Sequence, residues 1–363
     1  MKKLMIVLLA MCMSASVFAV KKPKPEELLL MIEALQAQVT ELQAQVDGNR
    51  VGIATFEDLL DGLYRDDSSG YDTLVFTGMN VQVVNGTGST DGTSTDAEGT
   101  GNLIIGYNEF RSDEEGGINF RSGSHMLVIG EGNNYSTDSY GGMVVGFVNQ
   151  TSGAFASVSG GFGNIASGVA SSVSGGGSNT ASELASSVSG GYRNIASSDI
   201  SSVSGGSHNT ASGRFSSVSG GIFNMASGDY SSVSSGEANT ASSNRSSISG
   251  GTQNIASGPG SSVSGGLRNR TTYFAAFSSI SGGTDNTVSG EHSSISGGTY
   301  NTVSGWDSSI SGGTRNIASG SNSSVSGGYR NTASGGLSSI SGGDTREASG
   351  QFDWVAGSLC EDY

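Results

Sequence analysis

Residues 186–197 read Ser-Ser-Val-Ser-Gly-Gly-Tyr-Arg-Asn-Ile-Ala-Ser, and variants of this repeat fill the chain from Ala156 to Gly357. The β-branched residue of the repeat recurs every 15 residues, with one longer step of 17. Self-similarity at a short fixed period is typical of solenoids, in which each repeat stacks on the next. The recurring residues are Val158, Val173, Val188, Val203, Val218, Val233, Ile248, Val263, Ile280, Ile295, Ile310, Val325, Ile340 and Val355.

Each repeat contains two short alternating segments separated by glycine. Side chains two residues apart on a strand share a face, so Val158 and Gly160 are expected to point inward and the flanking serines outward. Gly161 allows a positive φ at which the chain can turn. In the second segment Asn164 and Ala166 share a face. The pattern predicts an all-β parallel β-roll or β-solenoid of 15-residue coils, stacked about 4.8 Å apart.

An asparagine occupies the same position in each successive repeat. Stacked identical amide side chains can hydrogen-bond along a ladder, which favours a structural role over a ligand site. Arg346 takes this position in the last full repeat, so the ladder is expected to end there. The predicted ladder residues are Asn164, Asn179, Asn194, Asn209, Asn224, Asn239, Asn254, Asn269, Asn286, Asn301, Asn316 and Asn331.

The predicted core is thin, because a coil offers only one Val or Ile and one Ala or Val. Ordering a residue costs about 1–2 kcal/mol of backbone entropy, and burying a Val returns only about 1.5–3 kcal/mol. We therefore expect several copies to pack around a common axis, with the inward glycines allowing close approach. A homotrimer is the predicted state.

The repeat at residues 187–197, Ser-Val-Ser-Gly-Gly-Tyr-Arg-Asn-Ile-Ala-Ser, resembles the YadA-like head repeats of trimeric autotransporter adhesins. The resemblance extends over about residues 100–357. It implies a left-handed parallel β-roll, three chains to a head, displayed on a bacterial surface for adhesion. The period is 15 rather than the family's 14, and Gly replaces the second inward aliphatic residue. The family's C-terminal membrane anchor is expected to be missing.

Residues 1–19 combine a basic start, an apolar run and a Val-Phe-Ala end, which predicts a secretory signal peptide cut after Ala19. A lipoprotein signal is the alternative, because the residues before Cys12 loosely match a lipobox. The chain is thus expected to be exported, to the medium or the bacterial cell surface, with outer-membrane association as one option. After cleavage Cys360 is the only cysteine, which leaves a free thiol or pairing between chains open.

Residues 20–47 predict a short coiled-coil helix. A heptad pattern places β-branched residues at a and Leu at d, at Leu28, Ile32, Leu35, Val39, Leu42 and Val46. We interpret this helix as an oligomerisation clamp; the alternative is an amphipathic helix docked on the end of the stack. The a and d residues favour two strands, which leaves dimer against trimer open.

The rest of the chain divides by composition. Residues 48–72 predict a connector, and 73–142 an irregular β region with the first coils, including strands at 73–76 and 81–84. The regular repeats occupy 143–357, and 358–363 form a tail.

Chemistry-bearing motifs are missing from the sequence. His125, His208 and His292 have no metal-ligand spacing, and the Gly-Gly pairs lack the Lys and helix of a phosphate loop. A net charge of -15 disfavours nucleic acid as a partner. We expect no enzyme activity, cofactor or metal.

The variable residues fall at the two corners of each repeat and in a two-residue insertion near 268–277. They indicate a candidate recognition surface, although the same side chains can simply cover corners. The predicted function is an adhesin-like rod that attaches to host or matrix glycoprotein. The alternative is a non-adhesive matrix or filament subunit, and ice binding is a third hypothesis. The candidate residues are Tyr192, Arg193, Arg214, Phe215, Arg268, Arg270, Tyr273, Tyr300, Arg315, Tyr329 and Arg330.

Overall fold

The computed structural model describes residues 24–59, 61–66, 68, 70–86, 90, 99–112, 117–357 and 359–361. They form two compact units that divide after Gln82. The signal sequence predicted at residues 1–19, with its lipobox alternative at Cys12, lies outside the described residues, as does the side chain of Cys360.

The first unit contains one long helix, α1 (Pro25–Leu59). Glu26 and Glu27 lie in its first turn, where carboxylates interact favourably with the helix dipole. The helix continues past residue 47, the predicted end, and so takes up much of the predicted connector. Gly48 and Gly52 lie inside it; a helical glycine costs about 1 kcal/mol relative to alanine, which weakens a helix without ending it.

A β-hairpin follows in the same unit, formed by β1 (Leu63–Asp66) and β2 (Thr73–Phe76) in antiparallel pairing. The strand expected at 73–76 is present, but it pairs with β1 and does not begin the stack. The strand expected at 81–84 is wrong, because that segment belongs to neither the hairpin nor the stack. Alternating valines alone do not make a strand when no neighbouring strand pairs with their backbone.

The second unit is a parallel β-solenoid, which confirms the predicted fold class. Each coil contributes one strand to a Val-side sheet and one to an Ala-side sheet. Equivalent residues pair in register from coil to coil, as in Val173 with Val188 and Ala181 with Ala196. The backbone N–H groups of the outward strand residues donate to the next coil; Ser172 N, for example, lies 3.0 Å from Ser186 O.

The Val-side strands stack in chain order. They are β3 (Leu103–Ile105), β4 (Leu127–Glu131), β6 (Met143–Phe147), β8 (Ser157–Val158), β10 (Ser172–Val173), β12 (Ser187–Val188), β14 (Ser202–Val203), β16 (Ser217–Val218), β18 (Ser232–Val233), β20 (Ser247–Ile248), β22 (Ser262–Val263), β24 (Ser279–Ile280), β26 (Ser294–Ile295), β28 (Ser309–Ile310), β30 (Ser324–Val325), β32 (Ser339–Ile340) and β34 (Trp354–Ala356), followed by the antiparallel β35 (Leu359–Glu361).

The Ala-side sheet has 15 strands, all parallel. They are β5 (Asn134–Tyr135), β7 (Gln150–Thr151), β9 (Ile165–Ala166), β11 (Thr180–Ala181), β13 (Ile195–Ala196), β15 (Thr210–Ala211), β17 (Met225–Ala226), β19 (Thr240–Ala241), β21 (Ile255–Ala256), β23 (Arg270–Thr271), β25 (Thr287–Val288), β27 (Thr302–Val303), β29 (Ile317–Ala318), β31 (Thr332–Ala333) and β33 (Glu347–Ala348).

The interior of a typical coil holds four inward side chains. In one coil these are Ser171, Val173, Asn179 and Ala181, all fully buried. The buried serine was not predicted, although it lies two residues before the Val and the alternation rule places it on the same face. Its hydroxyl often bonds to its own corner, as when Ser186 Oγ donates to Glu183 O at 2.8 Å. Because little apolar area lies inside, backbone and amide hydrogen bonds supply much of the order.

The two glycines of each pair have different surroundings, and the inward direction predicted for the first is wrong. A Cβ added to Gly175 or Gly190 would meet no atom within 4 Å. A Cβ on Gly161, whose φ is +82°, would lie 2.1 Å from Gly176 O in the next coil. The chain bends at this pair, so the strand alternation that predicted an inward glycine no longer applies.

The Arg111 side chain links two of the early coils of the solenoid by hydrogen bonds to their backbone. Its Nε donates to Gly132 O at 2.7 Å, and its Nη2 donates to Val148 O at 2.9 Å and Asn149 O at 2.8 Å. One guanidinium thus bonds to carbonyls of two successive coils near the start of the solenoid.

Candidate binding surface on the corners

The ladder asparagines bond mainly to backbone groups and not to one another's side chains. Asn194 Oδ1 accepts from the backbone N–H of Asn209 at 3.0 Å. Its Nδ2 donates to Gly190 O in its own coil and to Gly206 O in the next, both at 2.9 Å. Each amide therefore bonds to backbone groups at the bend, where Gly206 O also accepts from Tyr192 N at 3.0 Å.

The ladder has a defined end and no free amide to offer a ligand. The backbone N–H of Arg346 donates to Asn331 Oδ1 at 2.9 Å, and the arginine has no amide oxygen with which to continue the pattern. All 12 of the predicted ladder asparagines are buried, with at most 1% of each exposed. The ladder asparagines are therefore not placed to contact a ligand.

The corners carry the variable side chains. The first corner follows the Val-side strand and contains the Gly-Gly pair; the second follows the Ala-side strand. A residue with left-handed backbone recurs at each corner, for example Arg193 (φ 53°) at the first and Phe215 (φ 58°) at the second. The N–H of each donates back to the preceding coil, at 3.0 Å to Gly177 O and 3.0 Å to Asp199 O. This geometry repeats side chains at each corner about every 4.8 Å.

A third line of pairing supports the first corner. Parallel bridges join Phe162 to Gly177 and Gly177 to Tyr192, and they continue from coil to coil as far as Asp344. The sequence did not predict this ladder, because the residues that form it differ from coil to coil. The first corner is therefore a regular hydrogen-bonded segment and not an irregular loop.

Arginines at the first corner lie over tyrosine rings. The Arg193 guanidinium carbon is 5.1 Å from the centre of the Tyr192 ring, and that of Arg330 is 5.0 Å from Tyr329. Between adjacent coils, the Arg315 guanidinium carbon lies 5.8 Å from the centre of the Tyr300 ring. Contacts of this kind hold the arginine in place and leave its N–H groups available.

Other first-corner residues bind each other. His208 contacts Tyr192 and Phe223, with ring centres 5.8 and 4.8 Å apart, so three successive coils share one aromatic column. Arg268 is different, because both its Nε and Nη2 bond to the Asp285 carboxylate at 2.8 and 2.7 Å. These bonds raise the pKa of Arg268 and occupy the donors that a ligand would need.

The second corner has its own cluster. Phe215 and Tyr230 stack at 4.8 Å with planes 7° apart. Arg214 lies 5.7 Å from the Phe215 ring and Arg245 lies 5.9 Å from the Tyr230 ring. The Arg214 guanidinium also reaches Asp199 at 3.8 Å.

The insertion adds exposed aromatics at the second corner. Tyr273 and Phe274 are 70% and 79% exposed and meet edge to face at 5.6 Å. Arg270 lies in β23 on the outer face of the Ala-side sheet, away from both corners.

The candidate residues are therefore brought together in two lines. Seven lie at the first corner, and Arg214, Phe215 and Tyr273 lie at the second, leaving Arg270 apart. Three neighbours of the candidates, His208, Phe223 and Arg245, were not among the predicted recognition residues. Their 15-residue spacing from known corner residues was the available signal, since that spacing places them one coil away.

In the part of the chain that the structure describes, no group of three or more His, Cys, Asp or Glu side chains is placed to hold a metal ion. Among the same described residues, no helix has the length and apolarity needed to cross a bilayer.

Comparison with known proteins assigns no family. No protein-family model matches the chain, and no curated protein sequence matches it significantly.

Proposed function

We propose that this chain is an exported bacterial protein whose solenoid attaches to matrix or host glycoprotein through its corners. The supporting observation is the recurrence of arginine held over tyrosine at one edge, at Tyr192–Arg193 and Tyr329–Arg330 with nearly equal distances. Weak contacts repeated along one edge gain affinity together, because each bound contact raises the effective concentration of the next.

Acidic sugars are the ligand chemistry that fits this edge. A guanidinium donates paired hydrogen bonds to a carboxylate, and a tyrosine face packs against apolar surface of a sugar ring. Arg193, Arg315 and Arg330 form no ion pair among the described residues, whereas Arg268 does. The three are therefore the better ligand donors.

We further propose that the protein is a homotrimer joined through α1. Its heptad side chains, from Leu28 to Val46, are 45–57% exposed although they are apolar. They line two consecutive grooves, one around Ile32, Leu35 and Val39 and the next around Val39, Leu42 and Val46. Such a face is buried when parallel copies form a coiled coil.

The β35 strand favours a capped rod over the alternative of an end-to-end filament. It pairs antiparallel with β34, so the last Val-side edge does not present the parallel edge that another coil would extend. Edges covered in this way are a common protection against uncontrolled pairing. Concentration-dependent filaments in negative stain would favour the filament role.

The attachment proposal is tested by binding of the full chain to immobilised glycoprotein, before and after enzymatic removal of acidic sugars. The variant Arg193→Ala/Arg315→Ala/Arg330→Ala is compared with Lys24→Ala/Arg50→Ala/Arg65→Ala, which loses the same charge from the first unit. We expect the corner variant to bind at least about tenfold more weakly and the control to bind as the original chain. Equal binding by all three proteins, or no binding by the original, contradicts the proposal.

A further inference from the structure

The outer face of the Ala-side sheet carries a two-coil rhythm. The residue after each ladder asparagine alternates between a larger apolar side chain and threonine over seven coils, and the alternation stops at Arg270. We call these seven residues the apolar strip. They are Ile165, Thr180, Ile195, Thr210, Met225, Thr240 and Ile255.

At the start of the strip the first corner follows the same rhythm. Phe162 and Tyr192 belong to isoleucine coils, and Gly177 belongs to the threonine coil between them, where a Cβ would lie 2.5 Å from the Phe162 ring. A ring leaning across one coil step needs a small neighbour, since coils are only about 4.8 Å apart. The rhythm of the corner ends at His208, which belongs to a threonine coil and contacts Tyr192 and Phe223. In the strip itself the larger apolar side chains recur about every 9.6 Å.

The strip is uncharged in an acidic chain. The second outward row beside it is serine in all seven coils, at 167, 182, 197, 212, 227, 242 and 257, while the net charge of the chain is -15. The outer face of the Val-side sheet is also uncharged. Over the same coils the residues before and after each Val or Ile are serines, so this face carries no apolar side chains. Only the Ala-side face combines no charge with apolar groups, and Ile195 and Met225 are 39% and 41% exposed.

We propose that the apolar strip is the surface through which copies of this chain pack against each other along the solenoid. A partner must match the two-coil period to keep apolar groups in contact over seven coils, and a second copy of the chain has that period. Like-charged copies also approach best at a face without charge. The proposal rests on the self-association proposed above and specifies the surface involved.

The strip is too short to hold copies together alone. Seven coils span about 29 Å, and one row of half-exposed side chains falls below the roughly 800 Å² per partner of a stable interface. Its contribution therefore adds to that of α1, because tethered copies meet at high effective concentration.

Sedimentation equilibrium of the full chain tests the strip. Thr210→Arg places a charge in it, and Ser204→Arg places the same charge on the outer Val-side face. We expect Thr210→Arg to weaken association at least about tenfold and Ser204→Arg to leave it unchanged. Circular dichroism and thermal melting check that each variant folds.

A second variant tests the strip independently in case the first variant does not fold. Ile195→Thr/Met225→Thr uses the residue that the strip already carries in alternate coils, so the coils themselves accept it. We expect it also to weaken association. Unchanged association in both variants, or an original chain that is already monomeric, overturns the proposal. Lost glycoprotein binding with intact association contradicts the attachment function alone.

Discussion

The asparagine side chain stabilises the coil by bonding to backbone groups at a bend. Asn209 Nδ2 donates to Gly205 O at 3.0 Å and to Gly221 O at 2.9 Å, and its Oδ1 accepts from Asn224 N at 2.9 Å. The glycine carbonyls lie where the chain leaves one strand and turns toward the next. A buried backbone group without a partner costs about as much as a lost hydrogen bond. Gly221 O also accepts from Ser207 N at 3.0 Å, so among the described residues Gly205 O and Asn224 N are the groups that depend on this amide.

Replacing one ladder asparagine is expected to be costly. Asn209→Ala removes the partner of Gly205 O and of Asn224 N, while Gly221 O keeps its bond from Ser207 N, and we expect a loss of about 2–4 kcal/mol in unfolding free energy. Asn244→Ala is the matched control, because Asn244 is an exposed corner residue. Urea denaturation followed by circular dichroism measures both. Equal midpoints for the two variants would show that the ladder is dispensable.

Left-handed corner residues other than glycine are strained. Ala185 has φ 51° and is exposed, whereas Ala154, one residue before such a position, does not have a positive φ. A left-handed L-residue costs roughly 1–2 kcal/mol, which exceeds the 0.5–1 kcal/mol of extra backbone freedom that glycine brings to the unfolded chain.

Replacing each of the two alanines with glycine is therefore expected to change the free energy of unfolding in opposite directions. Ala185→Gly is expected to raise the free energy of unfolding by about 0.5 kcal/mol, and Ala154→Gly to lower it by about 0.5–1 kcal/mol. Thermal melting of both variants checks the signs. A decrease in both would mean that the corner strain is relieved by contacts that the backbone angles do not reveal.

At the scale of the coil, the two glycines of the Gly-Gly pair have different structural roles. A Cβ on Gly206, whose φ is +85°, would lie 2.2 Å from Gly221 O and 2.6 Å from Asn209 Nδ2. A Cβ on Gly205 meets nothing within 4 Å. The second glycine is required for stacking, and the first lies beside open space.

Alanine at these adjacent positions is a sharp comparison. We expect Gly206→Ala to destabilise the solenoid by more than about 3 kcal/mol, since it forces neighbouring coils apart, and Gly205→Ala to change stability by less than about 1 kcal/mol. Hydrogen exchange on the flanking coils, with thermal melting, reports the difference. If the two variants melt alike, the close contact between coils is relieved without cost.

The helix α1 offers a test of its proposed interface. Leu35 lies in the heptad row, and Leu30 lies outside it; they are 57% and 66% exposed. We expect Leu35→Lys to weaken self-association at least about tenfold and to reduce helicity, because a charged group would be buried between copies. Leu30→Lys is expected to do neither. Sedimentation and the ellipticity at 222 nm distinguish the two results.

Much of the fold was predictable from period and alternation, whereas the failures lie where the chain bends or where the neighbours of a segment are not set by the period. Both sheets, their register and the inward Val and Ala follow from 15-residue spacing and two-residue alternation. The direction of Gly160 was wrong because the chain bends there, beyond the reach of strand rules. Contacts at the corners, such as Tyr192 with His208, depend on which residues become neighbours one coil away, and variable positions conceal this.

At the scale of the whole solenoid, stability is shared between neighbours. Each coil contacts mainly the coils before and after it, so the loss of one coil removes support from two others. The core is one continuous column from Ala156 to Val355, without a large side chain to anchor any single coil. Damage in the middle is therefore expected to spread further than damage near an end.

The direction of the coil-to-coil hydrogen bonds has a mechanical consequence. These bonds lie along the solenoid axis, as with Ser172 N to Ser186 O, so tension between its ends loads them one coil at a time. With 15 residues released per coil, extension should proceed in low-force steps of about 45 Å, which an optical trap can measure. A single large rupture would contradict this expectation. A solenoid that extends in such steps would lengthen under tension and re-form when the tension falls, which limits the force passed from one of its ends to the other.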